Sequence, residues 1–127
     1  MESCIFCTME KDRIVLENTL AVAIKDGFPV TEGHSLIIPK RHVSSYFELT
    51  IEEKLACGQL LNSVRDLLVA SDPTIEAFNI GINIGEAAGQ SIFHCHIHLI
   101  PRRSGDTEHP RGGIRHVIPH KGCYPFS

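Results

Sequence analysis

Tryptophan is absent from this 127-residue chain, which carries only two tyrosines and six phenylalanines. A base-stacking platform built on indole is therefore excluded. No apolar run approaches the roughly 20 residues that a bilayer-crossing helix needs, so no membrane partner is expected. Met1-Glu2-Ser3-Cys4 lacks the basic and apolar stretches of a secretory leader, and cytoplasmic residence is the expectation. Strong charge of either sign is missing too. A net charge of −3 provides no electrostatic footprint for nonspecific nucleic-acid binding, so a polyanionic ligand has to be held by local donors. There is no internal repeat, low-complexity tract or linker. With 43% apolar and 21% charged residues, the composition suits a single domain over residues 1–127, ending in a polar tail over 102–127. The odd count of five cysteines argues against a closed disulfide framework.

The patterning predicts one helix among several strands. Short β-type runs cover Arg13–Leu16 and Leu20–Lys25, with the turn residues Glu17-Asn18-Thr19 between them. A loop from Asp26 to Gly33 leads to a third strand, His34–Ile38, ended by Pro39. Thr50-Ile51-Glu52-Glu53 is a capping-box pattern that opens a helix, and Asp72-Pro73 closes it. Within the helix, Cys57, Leu60, Leu61, Val64, Leu67 and Leu68 form one apolar stripe, and Gly58 suggests a close approach to a sheet. Period-two alternation predicts a fourth strand through Phe78–Ile84 and a fifth over Ser91–Ile100. The tail offers a short strand at Ile114–Ile118. The expected class is α+β, an antiparallel sheet of about five strands with one main helix.

Eight histidines are many for this length, and three of them alternate in Phe93-His94-Cys95-His96-Ile97-His98. In a strand, His94, His96 and His98 share one face, while Phe93, Cys95, Ile97 and Leu99 face the core. Three imidazoles side by side make poor core, because each ring nitrogen needs a partner. They suit either one catalytic metal or a nucleophile attacking phosphorus with neighbours that manage charge. The preceding loop, Gly85-Glu86-Ala87-Ala88-Gly89-Gln90-Ser91, favours the second reading. Its glycines let a phosphate approach backbone N–H groups, and Gln90 and Ser91 add side-chain donors.

The stretch Gly89-Gln90-Ser91-Ile92-Phe93-His94-Cys95-His96-Ile97-His98-Leu99-Ile100-Pro101-Arg102 resembles the signature of the histidine triad family. A second similar block runs from Asp26 to His42, so the resemblance extends from residue 4 to about residue 106. It implies the histidine triad fold and a nucleotide hydrolase in which His96 attacks the α-phosphorus and forms a nucleotidyl-histidine intermediate. By the same resemblance, His98 and His34 contact the phosphate. Ser91, Gln90, Asn83 and the Gly89 N–H surround the phosphate and leaving group. Asp26 accepts bonds from the ribose, and Ile5, Phe6 and Ile24 flank the base. Without the family, Asp26 reads equally as a turn cap, Asn83 as a strand-end partner and His34 as a surface residue.

Cys4-x-x-Cys7 has the spacing of a zinc knuckle, but a second such pair is missing. The family resemblance supplies His42 and His94 as the other two ligands, giving a structural Zn2+ site. Cys57 and Cys95 read as core, and Cys123 has no role. Pro101–Asp106 and the tail from Arg111 to Pro119 resemble the branch that hydrolyses diadenosine polyphosphates, including bacterial diadenosine tetraphosphate hydrolases. On that reading an adenine nucleotide is the partner, and Arg102, Arg103, Arg111 and Arg115 meet its distal phosphates or simply form a solvated basic tail. The family also implies a homodimer. Phosphoramidate hydrolysis, nucleotidyl transfer and nucleotide binding without turnover stay open, as does a three-histidine metallohydrolase.

Overall fold

The computed structural model describes residues 4–126. Five strands, β1 (Ile14–Glu17), β2 (Ala21–Lys25), β3 (Ser35–Pro39), β4 (Ala77–Gly81) and β5 (Ile97–Arg102), form one sheet in the order β1-β2-β3-β5-β4. Every neighbouring pair is antiparallel. The helix α1 (Ile51–Ser71) crosses between β3 and β4. Its N-terminus is the capping box read from the sequence: the Thr50 hydroxyl accepts from Glu53 N, and the Glu53 carboxylate accepts from Thr50 N. The turn between β1 and β2 is held by Asn18. Its Oδ1 accepts from Leu20 N and Ala21 N, while its Nδ2 donates to the Ala56 carbonyl of α1.

The sheet has two unlike faces. Ala21, Ala23, Ile37, Ile97 and Leu99 pack against Cys57, Leu60 and Val64 of α1, and each buried Leu or Val contributes about 1.5–3 kcal/mol. On the opposite face Val22, Ile24, Leu36 and Ile38 are covered by Phe6, with Cys4, Met9, Ile14 and Ile92 at the margin. This second face carries the candidate site. Cys95 is buried in a third small cluster with Val43 and Leu49.

Several expected boundaries move, for local reasons. β5 starts at Ile97 rather than Ser91, because Cys95 N donates to the Val43 carbonyl and the stretch before it bends. β4 ends at Gly81, opposite His98, next to the start of β5 at Ile97. Alternation breaks with the bend, and Phe93 is 50% exposed instead of core. Ile114–Ile118 is not a strand: Gly112 and Gly113 take positive φ and open a 3-10 turn over Gly113–Val117. Gly58 points into open space on the outer side of α1, so it marks no helix–sheet approach. Leu67 is likewise exposed, off the buried stripe.

Candidate active site and metal centre

The three alternating histidines divide between two sites. His94 is completely buried, and its Nε2 lies 2.7 Å from the Pro39 carbonyl, which fixes the proton on that nitrogen. Its Nδ1 lone pair then faces Cys4 Sγ at 3.4 Å and Cys7 Sγ at 3.5 Å, while His42 Nδ1 stands 3.2 Å from Cys7 Sγ. The four ligand atoms all lie within 4.8 Å of one another. Around a tetrahedral zinc with Zn–S near 2.3 Å and Zn–N near 2.0–2.1 Å, adjacent ligand atoms are about 3.5 Å apart. The residues thus fit the ion in number, type, tautomer and spacing. Burial holds the His94 ring neutral against the pull of the Pro39 carbonyl, as ligation requires.

His96 turns away from this cluster. Its Nδ1 lies 2.8 Å from the His94 carbonyl and so carries the proton, leaving a lone pair on Nε2. The Phe6 ring stands edge-on to both imidazoles, with centroids 5.9 Å from His94 and 5.2 Å from His96, and separates the two centres. His98 lies on the other side of His96, ring centroids 5.2 Å apart.

A hydrogen-bond chain sets the tautomer of His98. Val30 N donates to His34 Nδ1 at 3.1 Å, so the proton of neutral His34 is on Nε2. That nitrogen lies 2.9 Å from His98 Nδ1 and 3.4 Å from Asp26 Oδ2. His98 therefore accepts at Nδ1 and presents an N–H at Nε2. Burial pushes both rings below the ordinary histidine range. For His98 the neighbouring His96 and His34 add to this, and Asp26 opposes it in both cases. Asp26, His34 and His98 also have the composition of a metal site. Their tautomers argue otherwise, because the His34 nitrogen facing the group bears hydrogen and has no lone pair to give.

The loop between β4 and β5 is built differently from its sequence reading. Gly85 and Gly89 take positive φ around a 3-10 turn at Glu86–Ala88. The Gly89 N–H donates to the Glu86 carbonyl and is spent inside the turn. Gly89 contributes a bare wall rather than a phosphate donor. Gln90 is buried; its Oε1 accepts from Gly85 N, and its Nε2 donates to the Ser44 and Ile92 carbonyls. It holds the loop in shape and ties it to the segment carrying His42. Ser91 and Asn83 are exposed and line the cavity.

That cavity, about 280 Å³, is where the pieces meet. Its lining includes His96, His98, Ser91, Asn83, Gly89 and Asp26, together with the apolar Ile5, Phe6 and Ile24. Asp26 has two duties at once. Its Oδ1 accepts from Phe28 N as a turn cap, and its other oxygen faces His34. Arg13, Gly27, Phe28, Leu36 and Ile92 complete the lining and were not anticipated. Leu36 follows from strand alternation once its register with Ile24 is known. Nothing in the local sequence marks Arg13.

A larger groove of about 630 Å³ runs between the Asp26–His34 loop and the C-terminal end of α1. It holds Asp26 and His34 but neither His96 nor His98, so it is not where the chemistry converges. The tail arginines also stay away from the 280 Å³ cavity. Arg102 bonds Asp106 and Asn79; Arg103 bonds Asp72, Thr74 and the Glu32 carbonyl. Arg115 donates to Gly122 and Lys121 carbonyls and lies over the Tyr124 ring.

The geometry agrees with known proteins. The model of the HIT domain matches residues 8–105. The adenosine 5'-monophosphoramidase hnt1 of Schizosaccharomyces pombe is 36% identical over 104 residues, 79% of this chain and 74% of that protein. A crystal structure of a zinc-bound histidine triad family protein from Mycobacterium smegmatis superposes with a TM-score of 0.74 at 32% identity, covering 83% of this chain and 78% of that one. The diadenosine triphosphate hydrolase of Plasmodium falciparum superposes with a TM-score of 0.70 at 27% identity, over 80% of this chain and 68% of its own. A five-stranded antiparallel sheet with one main helix, the triad of histidines and the match over residues 8–105 place this chain in the HIT domain family of nucleotide-binding and nucleotide-hydrolysing proteins.

Proposed function

We propose that this protein hydrolyses a nucleotide derivative at its α-phosphorus through a nucleotidyl intermediate on His96. The observation that carries this is the tautomer of His96, whose Nδ1 is tied to the His94 carbonyl and whose Nε2 lone pair opens on the cavity beside the His98 N–H. In the first step His96 Nε2 bonds to phosphorus, and the bond to the leaving group breaks. The His98 N–H and the Ser91 hydroxyl meet the nonbridging oxygens as their charge grows. In the second step water attacks the same phosphorus, the P–N bond breaks, and a nucleoside monophosphate leaves with His96 restored. Asp26 accepts from the ribose hydroxyls, and the apolar wall takes the base.

Zn2+ belongs to the same reading. Held by Cys4, Cys7, His42 and His94, it would tie the N-terminal segment to the histidine stretch as a structural cross-link. The zinc-bound relative supports this. None of the lone pairs used in the chemistry points at it.

For the leaving group, diadenosine tetraphosphate is the substrate favoured by the sequence, and the diadenosine triphosphate hydrolase neighbour lends it support. A phosphoramidate is the second reading. The engagement of Arg102, Arg103 and Arg115 elsewhere favours it, since among the described residues only one cationic side chain, Arg13, lines the cavity. Product analysis by mass spectrometry in isotopically labelled water, with both substrates, tests the assignment. A mass increment of one nucleotidyl group on His96, absent in His96→Ala, is the expected result. Turnover by His96→Ala within tenfold of the unaltered protein would refute it.

A further inference from the structure

We infer that Arg13 reads the base edge and makes this site prefer a guanine over an adenine nucleotide, which favours the phosphoramidate reading over diadenosine tetraphosphate. The inference rests on the proposed placement of the phosphate at His96, and it concerns the other end of the same cavity.

The register of the sheet fixes the direction of the ligand. Cross-strand partners place His98 of β5, Leu36 of β3, Ile24 of β2 and Ile14 of β1 in one row across the site face. Three strand spacings separate the ends of the row, about 14 Å at about 4.8 Å each. A nucleotide with its phosphate at the β5 end and its ribose on Asp26 extends its base toward β1. There the row ends beside Arg13, which precedes β1 directly.

The walls along this path cannot tell one base from another. Ile5, Phe6, Ile24, Leu36 and Ile92 offer apolar surface and no hydrogen-bonding side chain. Asp26 is committed to the Phe28 N–H, to the His34 side and to the ribose. Arg13 is the charged side chain left along this path, its guanidinium lying by Lys25 and Gly27 on either side of Asp26, within reach of a base held just beyond the ribose. Its Nη2 makes one long bond of 3.3 Å to the Lys25 carbonyl, which anchors the guanidinium and leaves most of its five N–H donors available. Gly27 stands beside it, with the position a Cβ would take 3.9 Å from Arg13 Nη2.

A guanidinium donates and never accepts. Guanine presents two adjacent acceptors, O6 and N7, that match its fork. Adenine presents N7 beside an amino donor, which opposes it. A good bidentate match discriminates by roughly fivefold to over a hundredfold. Arg13 is exposed, which places the effect at the lower end, about tenfold.

The test uses the full chain and two readouts. One is kcat/KM for guanosine, inosine and adenosine 5'-phosphoramidates. The other is equilibrium binding of GMP, IMP and AMP, which needs no turnover. The expected result is about tenfold preference for guanosine, shared by inosine because it keeps O6 and N7, and expressed mainly in KM. Arg13→Ala and Arg13→Gln lose the preference, Arg13→Lys retains part of it, and all three keep the melting temperature of the parent. Equal or better handling of the adenine series, or a preference unchanged in Arg13→Ala, overturns the inference while leaving the His96 chemistry intact. Absence of both turnover and nucleotide binding overturns the inference together with the reading beneath it.

Discussion

Replacing Glu53 by glutamine removes one charge while keeping the shape of a side chain on which two parts of the fold converge. The carboxylate is only 4% exposed. It accepts from Arg41 Nε at 3.0 Å, from Arg41 Nη2 at 2.8 Å and from Thr50 N at 2.8 Å. The Arg41 hydrogen bonds, helped by those of Thr50, outweigh burial and hold the carboxyl at about 2, against an ordinary value of 4.5. A fall of that size corresponds to about 3 kcal/mol of stability at neutral pH. The Arg41 side chain is half exposed, so solvent screening reduces this to about 2 kcal/mol. Because the folded-state value lies below the unfolded one, the stabilisation is fully present above pH 4.5. It drains away as the pH falls from 4.5 toward 2. Urea unfolding of the parent and Glu53→Gln, run side by side at pH 7, 5, 4 and 3, reads the difference directly. Losses common to both proteins cancel, including protonation of the cysteine and histidine ligands. The expected gap is about 2 kcal/mol at pH 7 and 5 and less than half of that at pH 3. A gap that stays constant with pH, or one below about 0.5 kcal/mol at pH 7, would show that the charge contributes little and refute the reasoning.

Two further outcomes follow from the geometry. Elemental analysis of the natively purified protein should find one zinc per chain, and chelation should lower the melting temperature while the folded fraction retains turnover. Complete loss of activity in folded, metal-free protein would place the ion in the chemistry instead. Asn18→Ala removes three hydrogen bonds, two within the β1–β2 turn and one from it to α1, and is expected to cost about 2–3 kcal/mol in urea unfolding. A cost under 0.5 kcal/mol would mean that water replaces those bonds freely.

What could be read from the sequence was the information held within a few neighbouring residues. The capping box of Thr50 and Glu53 lies within one turn, and α1 begins where it says. The apolar alternation around Ile97 and Leu99 survives as a buried strand face. The Cys4–Cys7 spacing anticipates the cysteine half of the cluster with His42 and His94. What was not legible depends on distant partners. The bend at Ile92–His94 precedes the point where Val43, 52 positions earlier (95 − 43), captures the Cys95 N–H. The bidentate lock of Arg41 on Glu53 and the arrival of Arg13 at the cavity have no periodic signature either. The Gly89 N–H was read as a phosphate donor because a glycine-rich loop leaves backbone groups free on average; here Glu86 takes it. In the tail, apolar residues suggested a strand, but left-handed backbone at Gly112 and Gly113 commits the chain to a tight turn first.

Ile5 and Phe6 lie between Cys4 and Cys7, so on the proposed reading the wall that takes the base is slung between two thiols like a plank between posts. Damage to either post tilts the plank. Alkylation of Cys7, which is exposed, or oxidation of the two sulfurs to one another, acts at atoms remote from any reacting bond. It would nonetheless be felt first as poorer grip on the nucleobase, with the nucleophile itself untouched.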